Sequence, residues 1–162
     1  MHFIVCQSCF VDQLDKDKWK SEIVTKPKLR FYRKFKDKLC LEPYVNMHIS
    51  SKERSYLAQL RFGILPINVE IGRYRSIPLN NRLCTLCELN QIEDECHILF
   101  YCEKYKSERR IWLQKLDILE EDINVIREDL LLERIFSSPR ITAKFIVNIM
   151  TIRQKTIFSI DM

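Results

Sequence analysis

The stretch RLCTLCELNQIEDECHILFYC, residues 82–102, places four cysteines and one histidine within twenty-one positions. Thiolate sulfur and imidazole nitrogen are the ligands that Zn²⁺ prefers, and a C-x-x-C pair on a tight turn delivers two sulfurs to one ion. A tetrahedral site takes four ligands, and the stretch offers five candidates: Cys84, Cys87, Cys96, His97 and Cys102. One candidate must therefore be left over.

Helix geometry favours Cys96 as the residue left over. Residues 94–102 are predicted to begin a helix, because Asp94 and Glu95 complement the dipole at a helix N-terminus. Neighbours on a helix project about 100° apart, so Cys96 and His97 cannot both face one ion. His97 fits better because its spacing to Cys102 is the H-x4-C of zinc knuckles, and a free cysteine packs as a small apolar side chain. The predicted zinc ligands are Cys84, Cys87, His97 and Cys102. The alternatives are a four-cysteine shell that uses Cys96, and no metal at all.

Four protein ligands would fill the zinc shell completely. No position is left for a bound water, so such an ion supports folding, worth on the order of 10 kcal/mol, rather than hydrolysis. The chain has only two glycines, which excludes the usual glycine-rich phosphate loops. The sequence therefore predicts a protein that is not an enzyme and has no small-molecule substrate.

The composition is that of an ordinary globular protein, and the N-terminal half of the chain is basic. It is 46% hydrophobic and 30% charged, with no apolar run long enough to span a membrane and no pattern of a secretory leader. We therefore expect an intracellular, reducing location, where clustered cysteines favour metal binding over disulfides. Residues 1–82 hold sixteen Lys and Arg against eight Asp and Glu, whereas residues 83–162 hold eleven against fourteen.

Apolar periodicity predicts a mainly α fold: a small helical domain with one zinc-knuckle-like CCHC insertion on an extended connector. Residues 1–25 are predicted to be a loosely ordered segment, and residues 26–157 are predicted to form the helical domain. The first segment includes a second C-x-x-C pair, Cys6 and Cys9, to which no role is assigned. A capping box at Ser50 and Glu53 marks the clearest helix. Residues 67–82 alternate apolar and polar side chains, which predicts the extended connector. Helices are predicted within the ranges 26–42, 50–63, 104–116, 122–136 and 138–157.

Residues 54–110, RSYLAQLRFGILPINVEIGRYRSIPLNNRLCTLCELNQIEDECHILFYCEKYKSERR, resemble the zinc-binding segment that follows the reverse transcriptase of non-LTR (LINE-type) retrotransposons. Arg61-Phe62-Gly63, Ile77-Pro78, the NNRLCTLC run, His97 and Cys102 sit where that pattern expects them, and the likeness extends over about residues 26–157. In that family the position of Cys96 is usually aromatic, which again leaves Cys96 over. The resemblance implies engagement of RNA or DNA, with a separate reverse transcriptase as a candidate partner, because neither the polymerase nor the endonuclease fits in 162 residues.

Basic residues before the connector and within it are the candidates for phosphate contacts. One group lies in the segment 26–38, interleaved with Phe31, Tyr32 and Phe35, and the other flanks the predicted metal site. The candidate nucleic-acid-binding residues are Lys28, Arg30, Arg33, Lys34, Arg73, Arg75 and Arg82. For the three aromatic residues we favour a core position over base stacking.

The sequence thus predicts a zinc module that holds RNA or DNA without marked sequence preference and without contact with a membrane. Two alternatives stay open. The zinc could shape a helical protein-interaction module, or the chain could be a decayed retrotransposon fragment with no retained activity.

Overall fold

Seven α-helices make up most of residues 13–160, the part of the chain that the computed structural model describes. They are α1 Gln13–Thr25, α2 Ser51–Arg61, α3 Asn68–Tyr74, α4 Lys106–Gln114, α5 Asp122–Val125, α6 Glu128–Ser137 and α7 Pro139–Ile160. About two thirds of the described residues are helical and none lies in a strand, so the mainly α prediction is confirmed. None of the described helices is both long and apolar enough to cross a membrane.

Helix α7 organises the hydrophobic core, since α2, α4 and α6 all pack against it. Phe145 and Ile149 lie on its buried side, as the periodicity predicts. Trp112 of α4 stacks on Phe145 with the ring centroids 4.1 Å apart and the planes within 1° of parallel. Because the same cluster of buried residues reaches Cys84 and Cys102, the predicted metal ligands lie at the edge of this core.

Helix α2 begins and ends where the sequence predicts. The Glu53 amide donates to the Ser50 hydroxyl at 3.2 Å, and the Glu53 carboxylate accepts from the Ser50 amide at 2.8 Å, which completes the capping box. At the other end Gly63 adopts a positive φ of 64°, and the Ile64 amide donates to the Gln59 carbonyl at 2.9 Å. That pairing closes the helix in the manner of a Schellman motif.

The prediction of a loosely ordered segment over residues 1–25 is wrong for residues 13–25, which form α1. Only Ile23 is buried, so the helix has almost no apolar stripe for periodicity to reveal. Local side-chain pairs at i,i+4 spacing support it instead, such as the ion pair between Glu22 and Lys26 at 2.8 Å. Cys6 and Cys9 lie outside the described residues.

The helix predicted between Pro27 and Pro43 is also wrong. The segment forms two short 3₁₀ turns, Pro27–Leu29 and Tyr32–Lys34, and no α-helix follows before α2. Phe31 and Tyr32 are both buried, at 1% and 7% exposure, and the Phe31 ring lies 6.4 Å from that of Phe136 in α6. Packing against the core therefore overrides the local helical pattern, and the aromatic residues are core, as expected.

The connector over 67–82 is not extended, because α3 occupies its first half. The Asn68 amide donates to the Glu93 carboxylate at 2.7 Å, so a distant acid satisfies the start of this helix. Gly72 lets Arg82 pass close: a Cβ at this glycine would lie 2.6 Å from Arg82 Cγ. Neither contact is visible in local alternation, and the connector prediction fails for that reason.

The helix predicted over 122–136 is divided in two. Ile126 has an extended backbone between α5 and α6, and Leu130, which the predicted stripe places inside, is 50% exposed. Ile123 and Leu131 are buried as predicted.

Candidate metal centre

A tight hairpin presents the first two cysteines of the site. It is closed by the single antiparallel bridge found in residues 13–160, between Leu83 and Ile92. The Cys84 amide donates to the Gln91 carbonyl at 2.8 Å within this hairpin. The Leu86 amide donates to Cys84 Sγ at 3.4 Å, which folds the C-x-x-C turn back on its first sulfur. The hairpin thus directs two sulfurs to one side.

The other two candidate ligands are His97, which begins the π-helix His97–Tyr101, and Cys102, which directly follows it. The Cys102 amide donates to the His97 carbonyl at 2.7 Å, and Asp94 caps the start by accepting from the His97 amide at 2.8 Å. On a regular α-helix, residues five apart would point about 140° away from each other. The wider π turn brings them to the same side, and such turns often occur at functional sites. Spacing alone predicts a helix here but not its type.

The four candidate ligand atoms lie close enough together to surround one metal ion. The side-chain donors of Cys84, Cys87, His97 and Cys102 all lie within 4.8 Å of one another. Cys84 Sγ is 3.9 Å from Cys102 Sγ, and Cys87 Sγ is 3.4 Å from His97 Nε2. With zinc bonds of about 2.3 Å to sulfur and about 2.0 Å to nitrogen, the tetrahedral edges are about 3.8 Å and about 3.5 Å. Both of these distances fit tetrahedral edges, so the four residues could hold a metal ion.

A second layer of contacts orients the ligands. His97 is buried, and its Nδ1 lies 3.1 Å from Gln91 Oε1. Since the amide oxygen can only accept, this contact places the proton on Nδ1 and leaves the Nε2 lone pair facing the sulfurs. Arg109 donates to the Cys102 carbonyl at 3.1 Å and fixes the last ligand's backbone.

Electrostatics favours a thiolate in the cluster. The hydrogen bond from the Cys102 thiol is the largest effect that lowers the pKa of Cys84 well below that of a free thiol, and the hydrogen bond from the Leu86 amide adds to it. The contact with Cys84 raises the pKa of Cys102, because a second negative charge beside the first is unfavourable. A divalent cation would replace the shared proton and allow both sulfurs to ionise.

Cys96 lies outside the cluster, as helix geometry predicts. It is buried, and the Lys34 ammonium donates to its sulfur at 3.7 Å. Burial raises the pKa of Cys96, which keeps the thiol protonated and makes it a poor ligand. Cys40 is exposed and also separate from the four ligand atoms.

The acids beside the metal ligands have a structural role that the sequence analysis missed. Glu95 is predicted only to complement a helix dipole, yet Glu93 and Glu95 are both buried and paired with arginines. The Arg153 guanidinium donates to both oxygens of Glu93, at 3.0 and 2.7 Å. Arg30 donates to both oxygens of Glu95, at 2.8 and 2.9 Å; burial raises the pKa of Glu95 and the Arg30 charge opposes that rise. A buried carboxylate implies a cationic partner, but not which one.

Four of the seven predicted phosphate-binding cations are engaged by the protein itself. Arg30 holds Glu95, and Arg82 donates to the Ile77 and Val69 carbonyls, both at 2.8 Å. The two remaining engaged cations form ion pairs with carboxylates: Arg73 with Glu70 at 2.7 Å and Lys34 with Glu128 at 2.6 Å.

The other three predicted cations are exposed. Arg33 uses one nitrogen to donate to the Val24 carbonyl at 2.8 Å. Lys28 and Arg75 make no side-chain hydrogen bond or ion pair with residues 13–160 and are free to reach a partner. These three are the predicted cations best able to contact phosphate.

No protein-family model, curated protein or solved structure matches this chain. The geometry of the site therefore carries the functional argument.

Proposed function

We propose that the protein binds one zinc ion through Cys84, Cys87, His97 and Cys102. Three soft sulfur donors and one imidazole, all within 4.8 Å of one another, favour zinc over the oxygen-seeking Mg²⁺ and Ca²⁺. All four positions would be filled by the protein, so the ion stabilises the fold and activates no water. The proposed function is accordingly binding and not catalysis.

We further propose that the zinc centre and the basic segment beside it hold RNA or DNA. The observation that carries this proposal is their adjacency. Arg30 reaches Glu95 at 2.8 Å and Lys34 reaches Cys96 at 3.7 Å, so the segment 26–38 lies directly against the residues that join the hairpin to the π-helix. Lys28 and Arg33, exposed on that segment, could then grip phosphates on a support that the metal keeps rigid.

The resemblance to the tail of non-LTR retrotransposon reverse transcriptases supports the same proposal. It predicts a nucleic-acid contact near the metal site, with a separate reverse transcriptase as the expected partner. Arg75, which directly follows α3, is a third exposed cation available for phosphate. Binding through phosphates alone predicts little preference among base sequences.

Metal analysis tests the zinc centre. We expect about one zinc per purified chain, and none after Cys84 and Cys102 are both replaced by serine. The matched control is Cys96→Ser, which removes a neighbouring buried thiol outside the cluster and should leave the zinc content unchanged. Loss of zinc from Cys96→Ser with retention in the double variant would refute the proposed ligand set.

Salt-dependent titration tests nucleic-acid binding. Fluorescence polarisation with a labelled single-stranded oligonucleotide, as DNA and as RNA, gives the slope of affinity against salt. Replacing Lys28, Arg33 and Arg75 together by glutamine should flatten that slope by about 2, since each lost contact contributes about 0.7. A control triple variant changes three exposed cations elsewhere: Lys52, Arg110 and Lys155. No binding at low salt, or equal flattening in both variants, would count against the proposal.

A helical protein-interaction module remains the second candidate. The observation that favours it is a groove between α4 and α7, away from the metal ligands in sequence.

A further inference from the structure

A groove of about 430 Å³ runs between α4 and α7. Its apolar part comes from Ile111 and Trp112 on one helix and Ile141 and Phe145 on the other. Ile111 lines this groove and is 56% exposed, so a large apolar side chain is left open to solvent beside other apolar residues. The volume is within the roughly 300–1,000 Å³ of typical ligand sites.

The rim of the groove is basic. Lys115, Arg140 and Lys144 are exposed there, against Glu108 as the single acid of the lining. None of the ion pairs within residues 13–160 involves these three cations, although Arg140 donates to the His48 carbonyl at 3.1 Å. This local excess of positive charge lies in the half of the chain that is acidic overall.

Helical spacing places the two kinds of residue in parallel rows. Arg140 and Lys144 are four residues apart on α7, and Ile141 and Phe145 form the neighbouring row. A ligand along the groove would thus meet an apolar floor and, one row away, a line of ammonium and guanidinium groups.

We propose that this groove binds a short acidic, amphipathic helical segment of a partner protein. The apolar floor would take one or two large side chains, and the rim cations would pair with carboxylates on the segment's flank. Phosphate contacts require cations alone, so an exposed Ile111 over a buried aromatic floor favours a peptide over a polynucleotide. The site is separate from the zinc ligands, and the inference stands independently of the proposed nucleic-acid binding.

A peptide titration tests the inference on the full chain. The probe is a fluorescein-labelled synthetic peptide of about twelve residues, three helical turns, with Phe and Leu on one face and Asp and Glu on the other. One control peptide replaces the apolar residues by serine, and a second replaces the acids by lysine. We expect the acidic amphipathic peptide to bind at least about tenfold more tightly than either control.

Protein variants locate the binding. Ile111→Glu and Lys144→Glu should each weaken the acidic peptide by about fivefold or more, through lost apolar contact and reversed charge. Lys155→Glu, an equal charge reversal on α7 outside the groove lining, should change affinity by less than about twofold. Because all three side chains are exposed, circular dichroism should show an unchanged fold.

Three results would overturn the inference. The first is failure of the wild-type chain to bind the acidic amphipathic peptide, and the second is an equal loss of affinity from Lys155→Glu. The third is a loss of oligonucleotide affinity from Ile111→Glu as large as the loss for the peptide, which would assign the groove to nucleic acid.

Discussion

Replacement of Arg153 by methionine should be among the most damaging single changes outside the metal ligands. Its guanidinium lies on α7, 4% exposed, and donates to both oxygens of Glu93, at 3.0 and 2.7 Å. A further donation reaches Asn68 Oδ1 at 3.2 Å. Methionine would fill part of the same volume but leave the Glu93 carboxylate, 0% exposed, with the Asn68 amide as its remaining hydrogen-bond donor.

The size of the effect follows from the burial of this pair. Removing one partner of a buried ion pair costs about 3–5 kcal/mol, because the other charge is left uncompensated in a poorly solvated place. For a domain of this size, a change of 1 kcal/mol shifts the Tm by about 2–4 °C. We therefore expect a Tm lower by roughly 6–20 °C. Arg127→Met removes an exposed ion pair to Asp129 and should cost no more than about 1 kcal/mol.

Urea denaturation followed by circular dichroism measures both variants, with zinc content determined in parallel. A double variant, Glu93→Gln with Arg153→Met, removes the stranded charge. The double variant should lose less free energy of unfolding than the two single variants lose in sum, by about 0.5–3 kcal/mol, since the two groups interact directly. If Arg153→Met costs no more than Arg127→Met, or if the two single losses simply add, the pair does not hold the hairpin to α7.

Three further predictions concern other parts of the fold. Gly72→Ala should lower the free energy of unfolding by about 1–3 kcal/mol in urea, because its Cβ would lie 2.6 Å from Arg82 Cγ; a neutral result would contradict the close approach. Ser50→Ala should cost about 1 kcal/mol by removing the hydroxyl that caps the Glu53 amide, and Ser50→Asp should restore most of it. Chelation of the metal should speed hydrogen exchange in residues 82–102 before α2 or α7 is affected, and uniform acceleration along the chain would argue against a local role.

The ligand set could be predicted from the sequence because its determinants are local. The C-x-x-C turn and the H-x4-C pair each lie within six residues, so spacing alone restricts which donors can meet. The exclusion of Cys96 needed two local facts: the angle between neighbouring helical residues, which leaves out either Cys96 or His97, and the H-x4-C spacing, which favours His97. The ends of α2 are local for the same reason, since capping residues bond to amides and carbonyls within five positions.

The misassigned regions depend on contacts that are distant in sequence. Arg30 and Glu95 are 65 residues apart, and Glu93 and Arg153 are 60 apart, so no periodicity could reveal either pair. The segment 26–42 has a helical pattern of apolar residues, yet Phe31 and Phe35 pack on Phe136 of α6. The energy of that tertiary contact exceeds a weak local preference for helix.

The arrangement of charges around the hairpin links the metal to the basic surface. Glu93 and Glu95 lie on either side of Asp94, and their partners belong to different elements: Arg153 on α7 and Arg30 in the segment 26–38. The two pairs tie the residues that follow the hairpin to α7 and to the segment 26–38, and a metal held by the four donors would tie the hairpin to the π-helix. Losing the metal would loosen both buried acids at once. This loosening would extend to the segment that carries Lys28 and Arg33. Zinc loss should therefore weaken phosphate binding, although none of the four zinc ligands is proposed to contact phosphate.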